Sequence, residues 1–163
     1  IPDAPEHVES FVSYLGAISD FEVARGGEGV IVEGGCCYLL SGQDHVILSS
    51  HSGEYRLQIA PKEELLEEGG VIDTLMASVA SLLGGKVSGV LVSGDGPDGN
   101  VGMQQIMHNQ GACMVLSPDY CLDKSMVNNF STENNVESEF DETSLAKEIQ
   151  KRHVFSKENV MTA

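Results

Sequence analysis

Apolar residues recur along the chain at two different spacings, and the change of spacing divides it. Val8, Phe11, Val12, Leu15 and Ile18 follow the i, i+3, i+4, i+7 rhythm of one helical face, entered through a turn at residues 2–5. Phe21–Val23 then reads as a short strand. Three more short β runs follow at Val30–Val32, Cys36–Ser41 and His45–Ser50, and a fourth at Tyr55–Ala60 alternates Tyr55, Leu57 and Ile59 with polar neighbours. Glycine-containing turns separate them at residues 26–29, 34–35, 42–44 and 52–54. This stretch is expected to form a small antiparallel hairpin excursion.

The rhythm changes after Pro61. Residues 62–68 are charged and expected to be exposed. Val71, Ile72, Leu75, Met76, Val79, Leu82 and Leu83 form a helical stripe that stops at Gly84-Gly85. Val87–Val92 is nearly all apolar, as suits a strand covered on both faces. A loop at 94–99 leads into a helix marked by Val101, Ile106 and Met107, which stops at Gly111. Ala112–Leu116 is a second buried strand, and Leu122–Phe130 a further short helix. Ser131–Glu139 reads as a polar connector, and Leu145–His153 as a last helix capped near Asp141 or Thr143. Strands alternating with helices predict an α/β fold: a doubly wound, mainly parallel sheet with helices on both faces. Residues 1–130 are expected to form the domain, with residues 131–163 its acidic connector and C-terminal helix.

Composition narrows the partners. The chain has 163 residues, 41% of them apolar, enough for a packed core. Nine basic residues face 25 acidic ones, for a formal net charge of -16. Nucleic-acid backbones and anionic membrane surfaces are therefore repelled. No apolar run approaches the ~18–20 residues of a membrane span, and no signal peptide is visible at Ile1. Cys36, Cys37, Cys113 and Cys121 form no paired motif and are expected to be reduced thiols in a cytoplasmic protein.

The loop after Val87–Val92 is the densest in chemistry: Gly94, Asp95, Gly96, Pro97, Asp98, Gly99. Ligands of open α/β sheets bind outside the carboxyl ends of strands, which is where this loop falls. Gly94, Gly96 and Gly99 match the spacing of a dinucleotide fingerprint, and Asp119 lies 20 residues beyond Gly99, where a ribose-binding acid would stand. However, Asp95 and Asp98 would each oppose a pyrophosphate by about 3 kcal/mol at ~5 Å and an effective dielectric of ~20. Pro97 also removes an N–H donor. A second reading makes an Asp here the orienting member of a Ser–His–Asp triad. A third is a glycine-rich turn whose acids cap the following helix, as Asp98 is placed to do.

Here the sequence resembles a family. Residues 94–102 followed by residues 110–121 are similar to the pattern G-M-G-x-D-G-x-x-G, helix, A-G-G-x-T-I-A-Q-D-E-x-S-C of the chemotaxis protein-glutamate methylesterases (CheB). Residues 29–46 resemble the family's G-x-x-x-x-P-G-x-x-Y-x-A-P-G-x-x-H-M stretch. Residues 70–76 resemble its P-S-V-D-x-L-F helix start, and Ile1-Pro2 with the first helix its M-P-x-x-F segment. The resemblance covers about residues 1–130 in the right order. It implies a doubly wound α/β domain that hydrolyses γ-glutamyl methyl esters on methylated chemoreceptors. No cofactor or metal is expected. Asp98 falls on the family's triad Asp, and the Ser and His are implied upstream of Ile1. Asp95 stands where the family has Met beside the oxyanion region, and Glu63, Glu64, Glu67 and Glu68 replace a basic stretch. These departures are those of a degenerate relative, so the resemblance leaves two further functions open: a non-catalytic binding or regulatory domain, and a nucleotide-binding module at Gly94–Gly99.

Other candidates have plainer readings. His45 and His51, with Asp44, are too few for a structural metal site, and His45 is expected to be a turn residue. Adjacent Cys36 and Cys37 are expected in the core on opposite sides of a strand. Cys121 would need a base nearby to act as a nucleophile. His108 is expected to be exposed, and Met103, Met107 and Met114 to fill the core.

Overall fold

The computed structural model describes residues 5–62, 69–134 and 139–153. Two compact units emerge, one within Ile1–Leu65 and one within Leu66–Val154. Residues 63–68, where the acidic segment was expected to be exposed, lie outside the described residues.

In the first unit, helix α1 (Pro5–Ile18) opens on a proline, which suits a first turn whose N–H groups have no partner. Its expected apolar face splits. Val8 is buried, whereas Phe11 and Ile18 are 50% and 65% exposed. Strands β1 (Glu22–Arg25) and β2 (Cys36–Leu39) follow and pair in parallel, Glu22 opposite Cys36. That corrects the expectation of an antiparallel arrangement here, because the ten residues between them form a crossing connection and not a hairpin turn. Cys36 and Cys37 are half-buried, not core residues, as expected of a two-stranded edge. The Val30–Val32 run reduces to one bridge, Ile31 to Arg56, flanked by Val32 N–H to the Tyr55 carbonyl at 2.8 Å.

Strands β3 (Val46–His51) and β4 (Glu54–Ile59) form the expected antiparallel hairpin, Val46 opposite Ile59. Ser52 and Gly53 both take positive φ, 53° and 86°, which lets a two-residue turn follow the strand twist. Val46, Leu48 and Leu57 are buried on one face of the hairpin, and Ile47 is buried on the other. Asp44 is engaged by Arg25 at 2.7 Å and accepts from the Ser41 N–H at 2.5 Å. Both pull its carboxyl below the ordinary value against the opposing effect of burial.

The second unit begins with α2 (Val71–Leu83), then β5 (Ser88–Leu91), α3 (Asn100–His108), β6 (Ala112–Leu116), α4 (Ser125–Asn134), β7 (Glu139–Phe140) and α5 (Glu142–Arg152). β5, β6 and β7 form a parallel sheet in that order, with Ser88 opposite Ala112 and Leu116 opposite Phe140. This is an α/β architecture. Leu91, Met103, Ile106, Met114, Val115, Val127, Phe130 and Leu145 form one continuous core. The order of elements from α2 to α3 and β6 matches the pattern of the sequence.

Two expectations are corrected, and one element is new. Met107 points outward, 45% exposed, while Met103 and Met114 are buried. The polar segment expected as a connector from Ser131 is still helix to Asn134, because Val127 and Phe130 anchor α4 in the core. β7 was not foreseen, since two residues carry no readable alternation. Asp141 caps α5, accepting from the Thr143 and Ser144 N–H groups at 2.8 and 2.9 Å.

Candidate functional site

The loop between β5 and α3 is held from two sides. On one side stands the loop that follows β6. Ser93 Oγ donates to the Asp123 carbonyl at 3.0 Å, and the Gly94 N–H reaches the same carbonyl at 3.3 Å. Ser125 Oγ accepts from the Gly96 N–H at 3.1 Å and stands 3.1 Å from Asp95 Oδ1 and 2.9 Å from Asp123 Oδ1. The exposed carboxylate of Asp95 is thus tied to α4's first residue. The Ser125 N–H and hydroxyl hold Asp123 below the usual carboxylate range. Cys121 is buried, and its Sγ lies 2.8 Å from the Val92 carbonyl, an engagement that fits packing better than nucleophilic attack.

On the other side stands α2. Its N-cap is Gly70, which has no side chain to accept from the exposed N–H groups of the first turn. Asp98 takes that place from 26 residues away: Oδ2 accepts from the Ile72 N–H at 3.2 Å and Oδ1 from the Asp73 N–H at 3.0 Å. These are the second and third helical positions, the ones an N-cap side chain normally serves. A Cβ built at residue 70 would overlap the Asp98 carboxyl, so glycine is what makes the room. The expectation that Asp98 caps the helix after it is therefore corrected. It caps α2, because Gly99 (φ 100°) turns the chain before α3 begins.

α3 is capped in return by α2. Asp73 Oδ1 accepts from the N–H groups of Gly99 at 2.9 Å and Gly102 at 2.6 Å, and its Oδ2 from Gly70 at 3.3 Å. Asp73 is 1% exposed. Burial raises its carboxyl above the ordinary value and the nearby charge of Asp98 adds to the rise, against the Gly102, Gly70 and Gly99 N–H bonds. Two carboxylates thus exchange caps between two helices, each on the other's first turn. A pyrophosphate at Gly94–Gly99 would have to displace Asp73 from the amides it would use.

The remaining candidates stay apart. His45, His51 and His108 are exposed. Among the described residues, no three His, Cys, Asp or Glu side chains are grouped to hold a metal. No helix among them is long and apolar enough to cross a membrane. Sequence reasoning singled out Asp98 but passed over Asp73. Its signal was an acid in the first turn of a helix that lacks a capping side chain.

A family model described as CheB methylesterase matches residues 3–149. The chain belongs to the CheB methylesterase family. Its fold is similar to that of the Thermotoga maritima CheB methylesterase catalytic domain, with a TM-score of 0.77 and 19% identity over 91% of this chain and 78% of that one. In sequence it is 29% identical over 71% of its length to the protein-glutamate methylesterase/protein-glutamine glutaminase 1 of Myxococcus xanthus. It is 31% identical over 68% of its length to the corresponding protein of Sulfurimonas denitrificans. Those matches span 33% and 31% of the two relatives, so the chain corresponds to about a third of each. The family places the β5–α3 loop within a CheB methylesterase domain.

Proposed function

We propose that this chain forms part of a protein-glutamate methylesterase domain that hydrolyses γ-glutamyl methyl esters on chemoreceptors in the cytoplasm and releases methanol. Asp98 is its contribution to the reaction: the carboxylate that orients the histidine base. The histidine takes the proton of a serine hydroxyl as that oxygen attacks the ester carbonyl. Methoxide leaves with the same proton, and water then cleaves the acyl-serine. The serine and histidine are those implied upstream of Ile1.

The observation that carries this reading is the clamp on Asp98. An orienting carboxylate has to be fixed, and α2's two N–H groups fix both of its oxygens. Each oxygen can accept a second hydrogen bond, which leaves capacity for an imidazole N–H. The name shared by the relatives supports the same chemistry.

A second reading, a binding or regulatory domain that has lost catalysis, is favoured by Asp95. Its exposed carboxylate shares the loop, and a negative charge at ~5 Å from a developing oxyanion would cost about 3 kcal/mol. Methanol release from methyl-esterified receptor peptides separates the two. The complete polypeptide should turn over, and Asp98→Asn should lower kcat by about a thousandfold or more. Turnover unchanged in Asp98→Asn removes Asp98 from the mechanism, and no turnover by the parent protein favours the binding domain.

A further inference from the structure

The amino ends of β5 and β6, opposite the loop just described, open on a cavity of about 420 Å3. Lys86, Ser88, Gln110, Gly111, Arg152 and His153 line it, and none of the described lining residues is acidic. In a chain with 25 acidic and nine basic residues, two of the nine cations, Lys86 and Arg152, meet here. His153 Nε2 lies 2.7 Å from Ser88 Oγ, which sets the imidazole and the hydroxyl side by side. Glu148 engages Arg152 through Nε at 2.8 Å, and so orients the guanidinium through that nitrogen.

We propose that this cavity binds a small organic phosphate. The lining supplies a guanidinium, an ammonium, a hydroxyl, an imidazole and an amide. That is more donor capacity than the two oxygens of a carboxylate use, and it suits the three terminal oxygens and double charge of a phosphomonoester. The net charge of -16 repels anions at long range, so an anion is held here only through close, charge-assisted contacts. The cavity is many times the ~30 Å3 that one water occupies, which leaves room for an organic group beside the phosphate. The site is separate from Asp98 and does not depend on the proposed esterase role.

Amide spectra of the 15N-labelled chain, titrated with glycerol 3-phosphate, inorganic phosphate and succinate at constant ionic strength, test it. Glycerol 3-phosphate should shift Ser88, Gly111, Ala112 and His153 saturably, with a Kd of about 1 mM or below. It should bind more tightly than either comparison anion. The double variant Lys86→Gln/Arg152→Gln, both exposed positions, should weaken it about tenfold or more with the spectrum otherwise unchanged. Shifts that do not saturate, shifts away from the cavity, succinate binding as tightly, or an unchanged Kd in the variant would each overturn the assignment.

Discussion

Replacing Gly70 by alanine tests whether Asp98 is the cap of α2. The backbone at residue 70 (φ -95°, ψ -164°) is open to any L-residue, so the substitution brings no backbone strain. The added Cβ would occupy the space of the Asp98 carboxyl, which has to swing away. Two N–H···O bonds to a carboxylate, at 3.2 and 3.0 Å, are then lost. Asp98 is half-buried, so water reaches part of what is uncovered. The cost is that of losing an N-cap, about 1–2 kcal/mol. Urea denaturation of the parent chain, Gly70→Ala, Asp98→Ala and the double variant measures it. Gly70→Ala should destabilise the parent by that amount and the Asp98→Ala background by only a few tenths of a kcal/mol, a coupling of about 1 kcal/mol. An equal effect in both backgrounds would refute the clamp and make residue 70 a matter of local backbone alone.

Three further outcomes follow from the same geometry. Asp73 has a raised folded value, with burial its main cause, so the native state keeps its proton to higher pH than the unfolded chain. Its stabilising contribution is full below the unfolded value of about 3.9 and is lost as pH rises through the folded one. The stability advantage of the parent over Asp73→Asn should therefore shrink as pH rises above the ordinary carboxylate range, and a difference that grows with pH contradicts the assignment. At Gly102 a Cβ would meet the Met76 Cβ at 2.6 Å and the Asp73 Cα at 3.0 Å, so Gly102→Ala should cost about 1–3 kcal/mol by overpacking, whereas Gly27→Ala, with open space around it, should be near neutral. Burial pushes the Cys113 thiol up to about 11. Iodoacetamide at mildly alkaline pH, followed by mass spectrometry, should therefore modify half-buried Cys36 and Cys37 well before Cys113.

The clamp also bears on function. If Asp98 orients a base, the residues that hold it matter as much as the carboxylate, and they come from α2 and its N-cap. A loss of turnover in Gly70→Ala matched by the expected loss of cap energy would tie catalysis to the placement of Asp98. Asp95, held through Ser125, is the position to vary next. Asp95→Met would restore the family's residue and should raise turnover if its charge opposes the oxyanion.

Much of the second unit was readable in the chain alone. The helical stripe from Val71, the apolar run before Gly94 and the glycines that follow each act over a few residues, and spacing with turn chemistry captures them. The acidic charge balance and the candidacy of Asp98 were legible for the same reason. What the tertiary structure alone decided lies in partners far apart in sequence. β1 pairs in parallel with β2, which no local periodicity can distinguish from a hairpin. β7 exists only because β6 offers it an edge. Asp98 looked like the cap of the helix that follows it, and Asp73 drew no reading of its own. Each instead serves a first turn 25 to 29 residues away. A helix N-terminus must find acceptors for its free N–H groups, but local sequence does not say from where, and where Gly70 offers no side chain the packing of α2 against α3 supplies one.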